Sequence, residues 1–149
     1  MEEWRPALDE GLKMFGQRQF ENALSKFLSI RDRLAPPGVD VHIYLCLREL
    51  KQYDEMIPYL ESALRFSPND RNPEQWRMLG LLYLHNERNV EKAIEAWKQA
   101  LELNPALAAQ YTGLQIVYLY DSMKEMGGQP IIDFVDLETG NFAVRFSME

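Results

Sequence analysis

One cysteine occurs in 149 residues. A lone thiol closes no internal disulfide and fits a reducing compartment. His42 and Cys46 stand four apart on one expected helix, but His85 belongs to a different segment. Two ligands do not make a zinc site, which needs three or four, so no metal is expected. No run of 18 uncharged apolar residues occurs, so no segment reads as a membrane span. The opening Met1-Glu2-Glu3-Trp4 is acidic and no apolar run follows it, so it does not read as a secretory signal. A cytoplasmic location is the expectation.

Positive charge is also short. Lys and Arg number 16 against 23 Asp and Glu, for a net charge of −7. Nucleic-acid binders concentrate Lys and Arg on one face, so that class is disfavoured. A neutral or basic partner suits this balance better. Serine nucleophile elbows, glycine-rich phosphate loops and the HExxH pattern are missing. Gly127-Gly128, followed by Pro130, reads as a helix stop. Cys46 lies between Leu45 and Leu47, which points to burial and not to a reactive thiol. The carboxylates read as solvated charge on helix surfaces. No group of residues meets the nucleophile–base–orienter test, so neither an enzyme nor a cofactor is expected.

What the chain does contain is 46% apolar and 26% charged residues, enough for one packed domain without disorder. It also contains a repeat. The best copy reads Trp76-x2-Leu79-Gly80-x2-Tyr83, then Ala93-x3-Trp97-x2-Ala100, then Pro105. The second-helix anchors recur as Ala23, Phe27, Ile30 and as Met56, Leu60, Ala63. The interval from Phe27 to Leu60 is 33 residues, and from Leu60 to Trp97 it is 37. Extra residues in the Pro68–Trp76 connector and in the turn Asn86–Val90 account for the longer interval. Insertions in turns disturb no packed face. First-helix anchors are Ala7, Gly11 and Met14 in the first copy, and Asp40, Ile43, Tyr44 and Leu47 in the second. Tyr44 stands where the pattern has a small residue.

Stop and start signals divide the chain the same way. Asn72-Pro73-Glu74 supplies an N-cap, a proline for the first turn and an acid near the helix dipole. Asn104-Pro105 repeats the cap and proline, and Asp54 and Asn89 can cap second helices. The expected helices are 3–16, 20–34, 39–50, 54–66, 73–86, 90–103 and 106–126.

This pattern resembles the tetratricopeptide repeat, a 34-residue helix–turn–helix unit. The resemblance implies an all-α solenoid with a right-handed superhelix, and a binding surface as its product. It covers a domain of residues 1–128. The repeats are about 4–36, 37–70 and 73–105, and 106–126 is a terminal helix with Gly113 in the glycine slot. That helix is apolar on more than one side, through Leu107, Tyr111, Leu114, Ile116, Val117, Tyr118, Leu119, Tyr120 and Met123. A capping helix needs one wet face, so something should cover it.

Residues 129–149 lie outside the resemblance. Ile131–Leu137 and Phe142–Met148 are β-prone runs around Glu138-Thr139-Gly140-Asn141, which reads as a hairpin turn. Phe142, Val144 and Phe146 alternate with Ala143, Arg145 and Ser147. A lone hairpin is marginal in water. The tail is therefore expected to pack on residues Tyr111–Tyr120, in the same chain or a neighbour's.

In tetratricopeptide arrays the concave face is lined from the first helices, and the resemblance places this chain's residues there. They are Leu8, Leu12 and Phe15, then Val41, Leu45 and Arg48, then Arg77, Leu81 and Leu84, with Gln110, Leu114 and Val117 from the last helix. Asp9, His42, Met78 and Tyr111 edge the same face. Heat-shock co-chaperones of this family clamp a peptide carboxylate with Lys and Asn where Leu8 and Leu12 stand here, so that clamp is not implied. An apolar groove suits an amphipathic helix or an extended apolar segment. Arg48 and Arg77 would pair with an acid on the partner. The expected function is a non-catalytic adaptor or scaffold module. The alternatives are a chaperone similar to those of type III secretion, and self-assembly through the C-terminal strands.

Overall fold

The computed structural model describes residues 3–66 and 72–148. It divides into two compact units, Met1–Asp70 and Arg71–Glu149. Residues 67–71, which include the first four of the expected Pro68–Trp76 connector, lie outside the described set.

The first unit holds two helix pairs. They are α1 (Arg5–Gly16) with α2 (Phe20–Ile30), and α3 (Asp40–Glu49) with α4 (Ile57–Phe66). Single 3-10 turns extend α2 over Arg31–Arg33 and precede α4 over Tyr53–Glu55. Asp54 sits inside the second of these turns, so α4 starts later than the capping pattern suggests.

The apolar positions of α2, and of α4 with Met56 just before it, decide what is buried. Ala23, Phe27 and Ile30 repeat every three or four residues, and so do Met56, Leu60 and Ala63; all are buried. Phe27 fits against α1 because position 11 is glycine. A Cβ there would lie 2.8 Å from the Phe27 ring. In the second pair the sizes are exchanged, with buried Tyr44 on the first helix and buried Leu60 on the second.

Asp40 fills the slot that holds an aromatic in the best repeat. Its carboxylate accepts from Arg31 Nε at 2.7 Å, and its side chain is only 3% exposed. The Arg31 guanidinium also lies 4.8 Å from the Tyr59 ring centre. One arginine after α2 thus ties α3 to α4.

The second unit begins with α5 (Pro73–Asn86) and α6 (Val90–Leu103). Both coincide with the expected boundaries because both starts carry working caps. The Asn72 side chain accepts from the Glu74 amide at 2.8 Å, and the Asn89 side chain from the Lys92 amide at 3.0 Å. Trp97 is fully buried against Gly80, in contact with its Cα region, and its indole N–H donates to the Arg77 carbonyl at 3.1 Å.

The turn inside each pair repeats as well. Arg18, Lys51 and Arg88 all adopt positive φ, at 62°, 58° and 52°. Their spacings, 33 and 37 residues, equal those of the buried anchors. The Gln19 amide donates to Met14 O and the Gln52 amide to Leu47 O, each five residues back. The Asn89 amide reaches Tyr83 O, six back, which is the one extra residue of the third turn.

The expected helix 106–126 is broken. It runs as α7 (Leu107–Gln110), a 3-10 turn Thr112–Gln115, and α8 (Ile116–Glu125). Tyr111 is extended, with φ −121° and ψ 91°. Thr112 and Gly113 are weak helix formers. The break turns the Tyr111 ring to the Arg77 guanidinium, 4.0 Å away, and opens Gly113 to the tail.

The tail is an antiparallel hairpin of β1 (Gln129–Val135) and β2 (Phe142–Ser147), with Val135 opposite Phe142 and Gln129 opposite Ser147. A bulge falls between Ile132 and Phe134. Asp136 builds the turn, its side chain accepting from the Glu138 amide at 2.9 Å. These bonds to an exposed carboxylate hold its pKa below the usual range. Gly140, at φ +78°, lets the chain pass against Arg77. The hairpin packs within its own chain. Phe142 stacks on Trp97 at 4.4 Å and lies against Gly113, and Phe146 meets Tyr120 at 5.9 Å.

Two substitutions test these cores. Arg31→Ala strands a buried carboxylate and should lower stability by about 3 kcal/mol. Asp40→Asn leaves a partly exposed arginine free to turn to water and should cost about 1 kcal/mol. Urea midpoints of the two variants check that order. Trp97→Ala removes the ring that both Gly80 and Phe142 accept, and should cost about 3–5 kcal/mol. Its melting temperature, compared with that of Phe142→Ala, reads the same joint from both sides.

Candidate partner-binding site

In the first unit, Phe27 brings the two first helices to one ring. Gly11 of α1 lies against it, and the His42 ring of α3 sits 5.3 Å from it, tilted by 36°. Residues one turn away on those helices flank this joint. Leu8 and Phe15 of α1 are half-buried, and Leu12 is 40% exposed. Val41, His42 and Leu45 of α3 are half-buried, and Arg48 is exposed. Asp9 at the rim is exposed too. Arg48 pairs loosely with Glu49 at 3.5 Å, a contact that water screens. These residues leave apolar surface on α1 and α3, with the exposed Arg48 one turn beyond Leu45.

The second unit places its corresponding residues differently. Leu81, Leu84 and Leu114 are fully buried, and Val117 is nearly so. They offer a partner no surface. Four consecutive residues of α5, Leu81–Leu84, are buried because the helix packs on both α6 and β1. Arg77 is buried as well. It donates to Glu74 at 2.9 Å, stacks on Tyr111 and abuts Gly140, so it serves the fold where a partner-facing cation was expected. Met78 and Tyr111 are half-buried, and Gln110 is exposed. The hairpin's cover of α5 is what the repeat pattern missed. Its packing on the 111–120 segment follows the expectation drawn from the surplus of apolar residues over 107–123 and from the hairpin's own apolar side.

Burial also sets the chemistry of the α3 pair. The Cys46 thiol is pushed up to about 11, so it stays protonated and unreactive at neutral pH. Burial holds the His42 imidazole below its ordinary value, so the ring packed on Phe27 is neutral. Among the described residues no three His, Cys, Asp or Glu side chains group as metal ligands, and no helix is long and apolar enough to cross a membrane.

Helix pairs that each seat a second-helix side chain against the first helix, around a shared left-handed turn, define a helical repeat protein. The chain belongs to the tetratricopeptide repeat family, whose model matches residues 45–70 and 76–107. The first pair lies before these matches, and its place in the series rests on Gly11, Phe27 and the Arg18 turn. The chain is similar to the peroxisomal targeting signal receptor of Candida glabrata, 34% identical over 110 residues, or 68% of this chain and 18% of the receptor. It is also similar to the receptor of that name in Saccharomyces cerevisiae, 36% identical over 85 residues, 54% of this chain and 13% of the receptor. A human RANBP2-like and GRIP domain-containing protein 1 is 46% identical over 57 residues, 38% of this chain and 3% of that protein. The chain thus spans under one fifth of the length of these relatives. Tetratricopeptide repeats bind peptides or proteins, and this chain is a protein-interaction module of that kind.

The half-buried, neutral His42 makes stability depend on pH in a definite direction. Its folded pKa lies below the unfolded value of about 6.5. Above that pH neither state is protonated and the native state keeps its full stability. As pH falls below it, the unfolded chain takes up a proton that the native chain refuses, and stability drops until the folded pKa is passed. The melting temperature should therefore fall from pH 7 to pH 5. In His42→Gln this part of the slope should vanish, which thermal scans at several pH values would show.

Proposed function

We propose that the chain binds a peptide segment of another protein on the α1–α3 face of its first unit, as an adaptor within a larger assembly. The reading is supported by the partial exposure of Leu8, Leu12, Phe15, Val41 and Leu45 on the two helices that meet Phe27, with His42 against that ring and Arg48 exposed on α3. Apolar surface that is half open and flanked by a polar rim is what a docked segment covers. The segment is an amphipathic helix or an extended apolar strand. It is neutral or basic overall, to suit a chain of net charge −7, with one acid to meet Arg48. The name of the yeast relatives, a receptor for a targeting signal, supports recognition of a short segment. On this reading residues 1–128 form the repeat domain, and the tail 129–149 closes its last repeat.

A peptide library displayed on phage and selected on the full chain tests this. The selected sequences should carry apolar residues at helical or alternating spacing. Leu12→Glu and Leu45→Glu should each weaken the best peptide by about tenfold or more, with the helical spectrum and melting temperature kept. Peptides that bind both variants as tightly as the parent would overturn the reading.

A further inference from the structure

The α5–α6 turn, the end of α8 and the start of β1 border a mainly polar cleft of about 470 Å³. Glu87, Asn89 and Glu91 line one side, Tyr120 comes from α8, and Pro130 and Ile132 come from β1. Tyr120 is more than nine-tenths buried, at 8% exposure, and its ring rests on Phe146 at 5.9 Å. Its hydroxyl has no hydrogen-bond partner among the described residues. A buried hydroxyl without a partner is unfavourable, and a ligand that supplies one recovers that free energy.

The charges around this hydroxyl have one sign. Burial raises the Tyr120 pKa, and the neighbours that raise it further are Glu91, Asp121 and Glu95, all carboxylates. Glu95 and Asp121 share Lys98, at 3.6 and 3.8 Å. Glu87 holds Lys92 at 3.2 Å. Glu91 is exposed and forms no ion pair among the described residues. The cleft thus presents two free acceptors, the Glu91 carboxylate and the Tyr120 hydroxyl oxygen. Arg88 and Lys124 line it as well, exposed and likewise without an ion pair among the described residues. Neither is among the charges that move Tyr120, so both stand off from the hydroxyl.

We infer that this cleft takes an arginine side chain from a segment of a protein partner, with acidic residues on either side of that arginine. The guanidinium donates to the Glu91 carboxylate and to the Tyr120 hydroxyl oxygen. Its planar fork of five N–H donors serves two acceptors at once. The flanking acids meet Arg88 and Lys124. A metal ion is not the fitting cation, because among the described residues no three His, Cys, Asp or Glu side chains group together. The site belongs to the second unit and uses no residue of the α1–α3 face.

NMR titration of the isotope-labelled full chain with acetyl-Glu-Arg-Glu-amide tests this. The amide signals of Glu91, Tyr120 and Lys124 should shift together and saturate, and no saturable shift up to about 10 mM overturns the inference. The same peptide with citrulline for arginine keeps the shape and loses the charge. It should bind about tenfold more weakly or worse, and equal binding overturns the inference. Acetyl-Ala-Arg-Ala-amide should also bind more weakly. Tighter binding of that more cationic peptide means general attraction to an acidic chain and overturns the inference. Tyr120→Phe keeps the ring on Phe146, and Glu91→Gln alters an exposed residue. Melting temperature should hold in both while the first peptide weakens by about fivefold or more. Unchanged affinity in either variant overturns the inference. Leu45→Glu, on the other unit, should leave the titration unchanged. Weakening there assigns the peptide to the α1–α3 face and overturns the inference.

Discussion

The structure depends on a ring from a second helix lying where a first helix has no side chain. Trp97 on Gly80 and Phe27 on Gly11 are the same contact in two units. Helices approach closely only where one of them gives up its Cβ, and a dense interior fills that space with an aromatic. Trp97 adds a hydrogen bond to the Arg77 carbonyl, which fixes the ring's orientation as well as its depth. The surrounding features follow from these seats. Phe27 gathers α1 and α3 into one accessible face, and Trp97 provides the plane on which the hairpin's Phe142 stacks.

The middle pair shows what happens when the seat is altered. Tyr44 takes the small residue's place and Asp40 the aromatic's. Burying a carboxylate is unfavourable without a partner. The chain supplies Arg31, whose pKa is raised by its bond to Asp40 despite some desolvation. A specific ionic contact thus replaces a generic packing contact. It also fixes which helices meet, since Arg31 Nε, just after α2, donates to Asp40 of α3 at 2.7 Å.

Local chemistry was readable where it was strong. The Asn72-Pro73 and Asn89 signals marked α5 and α6 to the residue, and the intervals 33 and 37 located every buried anchor of the second helices. The hairpin was visible as alternation from Phe142 to Ser147. What could not be read was decided by distant residues. No proline or cap marks the break at Tyr111, which is supported by Arg77, 34 positions earlier, and by Phe142, 31 later. The bulge at Asp133 leaves no pattern, since alternation on that strand is already irregular. Leu81, Leu84, Leu114 and Val117 occupy positions that face outward in an open repeat, but repeat position does not say what another segment will cover. Arg77 was misplaced for the same reason. Its partner Glu74 is an exposed residue one turn away on α5, and its other partner, Tyr111, stands at the unforeseen break.

The stacking of Phe142 on Trp97 has a consequence for the order of assembly. Pairs α1–α2 and α3–α4 are closed by contacts between neighbours in sequence, so the first unit can form while the rest of the chain is still being synthesised. Pair α5–α6 has its helices and its glycine seat early, but the outer face of Trp97 is completed only by a residue 45 positions later. The intervening segment must be closed into a loop before that contact contributes anything. Until then a tryptophan at the centre of the second unit has water, or a chaperone, on one side. Synthesis from the amino terminus therefore leaves the α5–α6 pair open until the hairpin has followed it.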